Sequence, residues 1–126
     1  MEIVIAMLVF SVGVLAIAAM QTSAIQGNAF ANHMSEGTIS MQDKMEELMT
    51  LNYGDGQWTD IDADSAAGLD DVGAQADWWD NESSPSTCYN VAVNGNTKIV
   101  RVIYTWDEGC VTKNIHFDSV RASAID

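Results

Sequence analysis

Met1 to Met20 reads MEIVIAMLVFSVGVLAIAAM, and the reading of the whole chain turns on it. From Ile3 to Met20 there is no charge, and only Ser11 and Gly13 interrupt the apolar side chains. A bilayer core is spanned by about 20 such residues, with a lower limit of about 17, so the stretch meets the length for a membrane segment. It is longer than the apolar region of a cleavable secretory signal and lacks the basic flank of one. Glu2 sits at its edge, and a carboxylate there needs a partner or an interface.

The apolar run continues into a second pattern instead of a loop. Between Gln21 and Thr50 there is no proline, and Ile25, Met34, Met41, Met45 and Leu48 recur at helical spacing among Gln21, Glu36, Gln42, Asp43, Glu46 and Glu47. One helix from Ile3 to Thr50 is expected, about 70 Å long at ~1.5 Å per residue. Its first half is apolar all round and its second half amphipathic, so one half calls for an apolar medium and the other for a domain to lie on.

The NYGDG sequence from Asn52 to Gly56 supplies a helix stop. From Asp55 to Glu82 there are nine acidic residues and no Lys or Arg, with many Gly and Ala and with Trp58, Trp78 and Trp79. This reads as a long connecting loop with little regular structure, pinned by its tryptophans. Beyond Pro85 the period becomes alternating. Val91 and Val93 lead to Asn94-Gly95-Asn96, a hairpin signal, and the return strand carries Val100, Val102, Tyr104 and Trp106 on one face. Asp107-Glu108-Gly109 makes a second turn, and a third strand runs from Val111 to about Arg121 with Ile115 and Phe117. The expected fold is α+β: a long N-terminal helix on a three- to four-stranded antiparallel sheet. Its parts are residues 1–25 as the apolar half-helix, 26–50 as the amphipathic half, 51–87 as the acidic loop and 88–126 as the sheet region.

The chain has 126 residues, the length of one domain, and eighteen Asp and Glu against five Lys and Arg. Without a basic face there is nothing to release counterions from a phosphate backbone, so nucleic-acid binding by this acidic surface is not expected.

The order of these features resembles the type IV pilin superfamily. A glutamate, an uncharged apolar run, Ser11-Val12-Gly13, Met20-Gln21 and an amphipathic continuation look like a pilin N-terminal helix. The closest pattern is that of V-type minor pilins, and the pseudopilins of type II secretion have similar helices. The resemblance covers about the first 25 residues, and the strand-turn-strand ending with a tryptophan before the last turn is similar too. It implies a subunit processed from a precursor with a basic leader and a methylated first residue, so further residues are expected before Met1. It implies no enzymatic activity, residence in the inner membrane, handling by a pilus assembly machinery, and polymerisation of many copies into an extracellular filament. Glu2, Ser11 and Gly13 would then be assembly residues, with Glu2 meeting the N-terminal ammonium of a neighbouring subunit. Without the resemblance, Glu2 reads equally as an interfacial side chain. Ala19 stands where many major pilins have a kinking proline.

Cys88 and Cys110 are the only cysteines. An even count in a domain outside the membrane favours a disulfide, which pilins commonly have in this region; two free thiols are the alternative. Asp60, Asp62, Asp64 and Asp71 imitate a calcium loop, but Ser65 stands where its glycine belongs and Asp71 where its glutamate belongs. A solvated acidic loop accounts for them as well, and no other cofactor is implied. His33 and His116 are far apart, and no nucleophile motif or phosphate-binding glycine loop is present, so no enzyme is expected. Three readings stand: a structural pilin; a minor pilin or pseudopilin that primes or caps a filament; and a membrane-tethered acidic binding domain.

Overall fold

A single unbroken helix, α1 (Glu2–Thr50), opens the chain, with the bounds that the apolar run and its amphipathic continuation predict. In this computed structural model the described residues are 2–61, 65–79 and 84–123. The chain divides into two compact units, Met1–Met34 and Ser35–Asp126.

In the first unit, residues 2–32 are all exposed. Ile25, expected on the buried stripe, is 69% exposed. In the second unit the stripe is Gly37, Met41, Met45 and Leu48, spaced to lie on one side of the helix.

That side meets a four-stranded antiparallel sheet of order β1 (Trp78–Trp79), β2 (Ser86–Asn94), β3 (Thr97–Glu108) and β4 (Val111–Ala122). The hairpins close on Gly95 and Gly109, both with φ above +60°, a conformation that glycine adopts without steric cost. The expected inward residues Val100, Val102, Tyr104 and Trp106 join Tyr89 and Val91 against Met41, Met45, Leu48 and Trp58 to form the core. Phe117 is 47% exposed despite its place in the third expected strand.

The end of α1 is closed by groups from outside it. Its last turn has no basic residue; instead Arg121 on β4 donates to the Leu51 carbonyl at 2.7 Å, and the Trp58 indole N–H donates to the Leu48 carbonyl at 3.2 Å. The indole is a second donor to the Leu48 carbonyl, which also accepts from the Leu51 N–H at 3.2 Å, and the guanidinium, held just beyond the helix end, complements the helix dipole.

The loop after α1 is more ordered than its composition suggests. It contains 3-10 helices at Gly56–Trp58, Ser65–Asp70 and Gly73–Gln75 before β1. Trp58 is fully buried in the core, and Trp78 donates its indole N–H to the Thr59 carbonyl. Trp79, by contrast, is 40% exposed, opposite Cys88 in the sheet register. The loop reaches both faces of the sheet: Trp58 joins the helix side, while the Ser65–Asp70 segment packs on β2 and β3. The second contact is made through Asn90, whose neighbours Tyr89 and Val91 point into the core, so Asn90 faces the other way.

Candidate functional site

The residues assigned to assembly all lie on α1. At about 100° per residue, Glu2 and Gly13 fall within about 20° of each other around the helix, with Ala6 and Ala16 beside them, while Ser11 is on the opposite side. Beyond its own helix backbone and chain neighbours, Gly13 has no atom within 4 Å of where a side chain would begin, so no packing contact among the described residues requires a glycine there. Ser11 donates its hydroxyl to the Leu8 carbonyl at 2.8 Å, and Thr22 donates to Ala18 at 3.0 Å. Both hydroxyls are satisfied by their own helix, as an apolar medium requires. The apolar stretch has a mean hydropathy of 2.8 with none of it buried, and the helix is long and apolar enough to span or anchor in a membrane.

The cysteines do not form the expected bridge. Both are free thiols, Cys88 buried and Cys110 exposed. The strand register gives the reason: Cys88 sits opposite Ile103, whereas Cys110 is at the tip of the β3–β4 turn beyond Glu108. Five positions or more along β3, at ~3.3 Å each, put the two roughly 16 Å apart in that direction alone, and a disulfide needs Cα atoms within ~7 Å. Burial pushes the Cys88 thiol above its ordinary pKa, which leaves it a small apolar core residue.

Of the calcium candidates, Asp62 and Asp64 lie outside the described residues. Among the described residues no group of three or more His, Cys, Asp or Glu is placed to hold a metal. Asp71 accepts through its backbone carbonyl, from the Asn90 amide at 2.9 Å.

What organises the acidic loop is a polar clamp that periodicity did not reveal. Asn90, 2% exposed, donates from its amide to the Leu69 and Asp71 carbonyls, both at 2.9 Å, and accepts from the Asp77 N–H at 3.0 Å. The Asp77 carboxylate accepts from Val91 N–H at 2.7 Å and from Ile61 N–H at 2.8 Å. Arg101 makes a forked pair with Asp118 at 2.7 and 2.8 Å and also binds Asp70. These hydrogen bonds hold the Asp118 carboxyl below its usual range. The only sequence signal for the clamp is a polar Asn90 between Tyr89 and Val91, both core residues.

All five basic residues have internal partners. Lys44 pairs with Glu47, Lys113 with Glu108, and Arg101 with Asp70 and Asp118. Lys98 donates to the Tyr53 and Trp58 carbonyls at 3.0 and 2.7 Å, and Arg121 caps α1.

No known protein family, curated protein or solved structure matches the chain. A long apolar N-terminal helix with a small antiparallel sheet is nevertheless an architecture compatible with a pilin-like fold.

Proposed function

We propose that this chain is the structural subunit of a type IV pilus-like filament, held in the inner membrane by the first half of α1 and polymerised through the same surface. The observation that carries the reading is the eighteen-residue stretch Ile3 to Met20, exposed along its whole length and preceded by a single carboxylate. Such a surface is soluble in lipid and is equally well buried against the helices of other copies. The face shared by Glu2, Ala6, Gly13 and Ala16 lets a neighbouring helix approach closely.

Glu2 gives that packing a register. A lone carboxylate within the hydrocarbon costs up to about 3 kcal/mol. Paired with a cation of the next subunit in an apolar filament core, it fixes the offset between neighbours even where the net stabilisation is small. The pilus assembly machinery would draw subunits from the membrane, and the acidic domain would form the outer surface.

The test is to shear filaments from the native cells, image them, and read the N-terminal peptide of the main protein by mass spectrometry. A dominant chain with a methylated N-terminus close before Glu2 supports the proposal. A processed chain that is scarce in filaments assigns it to priming or capping, and an unprocessed chain confined to the membrane assigns it to a tethered binding domain. In cells carrying Glu2→Ala, the protein should stay in the membrane fraction and filament growth should stop. Normal filaments from that strain would refute the role given to Glu2.

A further inference from the structure

Strand β4 is the last of the sheet, and among the described residues nothing pairs with its outer side. The Ser123 N–H donates inward to the Asn96 carbonyl at 2.9 Å, and antiparallel bonding alternates from there. Thr112, Asn114, His116, Asp118, Val120 and Ala122 therefore turn their N–H and C=O groups outward. Exposed strand edges are normally guarded by proline, by a bulge or by free charges. β4 has no proline, and its register with β3 runs without a bulge from Val111 to Ala122. Its charges are held within the chain: Lys113 binds Glu108, Asp118 binds Arg101, and Arg121 caps α1. What it exposes instead is apolar, at Val111, Phe117 and Val120.

Such an edge accepts an extended strand, and its own side chains select which. We infer that β4 pairs antiparallel with β4 of a second copy, about a two-fold axis at His116. In that register Ile115 lies opposite the partner's Phe117, Asn114 opposite its Asp118, Thr112 opposite its Val120 and Lys113 opposite its Ser119. Each pair forms twice, and no like charges face each other. A two-fold axis keeps like faces of the strands together, so the register moves only in steps of two. One step sets Lys113 opposite Arg121, a like-charge pair; the other sets Phe117 opposite Lys113.

Direction and strength follow from the same geometry. Gly37 packs on Tyr104, which is level with Ile115, and Arg121 reaches Leu51, so residues 35–50 of α1 run in the direction of β4. The two-fold axis turns the Ser35 ends of the partners in opposite directions. The partner is thus a copy on an opposing surface and not a neighbour on the same one. One edge strand supplies fewer residues than the about 20–30 a side of a stable interface, so single copies separate on dilution, while arrayed copies hold by multiplicity. The inference is independent of the filament proposal, since β4 belongs to the domain Ser35–Asp126.

The experiment uses the full chain in lipid nanodiscs, one chain per disc, with Cys110→Ser removing the exposed thiol. Under mild oxidation at high disc concentration, His116→Cys should cross-link discs in pairs at least about tenfold faster than Thr112→Cys, because only position 116 meets itself within the ~7 Å that a disulfide allows. Thr112→Cys should cross-link once mixed with Val120→Cys. Asn114→Pro, added to His116→Cys, should abolish the cross-link while keeping the bonds to β3, since its N–H points outward. Circular dichroism checks that each variant is folded. On the unaltered protein, hydrogen exchange at the Asn114, His116 and Asp118 amides should slow as disc concentration rises, which keeps the test valid if a variant fails to fold. Equal cross-linking of the two single variants, no cross-link in the mixed pair, indifference to Asn114→Pro, or exchange independent of concentration would each overturn it.

Discussion

Asn90 shows how much of this domain depends on single polar side chains. It is buried, and its amide meets three backbone groups of the acidic loop. Asn90→Ala would remove these hydrogen bonds and leave the Leu69 and Asp71 carbonyls and the Asp77 N–H facing a vacated space. Buried polar groups without partners cost about 1–3 kcal/mol each, reduced here by whatever water the space admits, so a loss of about 2–3 kcal/mol is expected. Denaturant unfolding would measure it, with faster proteolysis between Asp60 and Asp77 as a local signature; a change under about 0.5 kcal/mol would show that the clamp is incidental. The role was not legible in the sequence because an Asn inside an alternating strand pattern reads as a solvent-facing position. The loop covers that face here, so the alternation marks which side of the sheet Asn90 occupies without marking whether that side is wet.

At the scale of elements, Gly37 decides how α1 meets the sheet. A Cβ added there would lie 2.5 Å from Cδ1 of Tyr104, closer than any side chain tolerates, and Tyr104 is only 2% exposed. Two effects compete in Gly37→Ala. The helix gains about 1 kcal/mol of propensity, while overpacking a buried ring costs about 1–3 kcal/mol. With backbone on one side and a fixed aromatic ring on the other, overpacking should win, and melting should show a net loss of about 1–2 kcal/mol. Gly27→Ala, with nothing within 4 Å, should be neutral or mildly stabilising. If both glycines behave alike, the contact with Tyr104 does not set the packing. The elements themselves were largely legible: the bounds of α1, the inward residues of β3 and both hairpins follow from periodicity and turn chemistry. The cysteine pairing was not, since pairing depends on register, and a count of two cannot tell neighbouring strand positions from positions at opposite ends of a hairpin. The close approach at Gly37 had one sequence signal, a glycine on the buried stripe four residues before Met41.

Across the whole molecule, every buried hydrophobic residue among the described ones lies in Ser35–Asp126, and residues 2–32 are exposed throughout. The second unit therefore holds its complete core, and a fragment beginning at Ser35 should be a soluble monomer with cooperative unfolding and native near-ultraviolet dichroism. A fragment that aggregates, or that melts without a transition, would show that the core needs the first half of α1. The sheet inside that unit has unlike edges. One is closed: β1 is two residues long, too short to act as a template, and the Asp77 carboxylate holds the next outward N–H of β2 at Val91. The other, β4, is twelve residues long and outermost. Strand addition can therefore start on one side only, and two copies joined along β4 would make a doubled sheet with both ends shut. Amyloid growth needs an edge that regenerates with every added chain, and among the described residues the native sheet offers none.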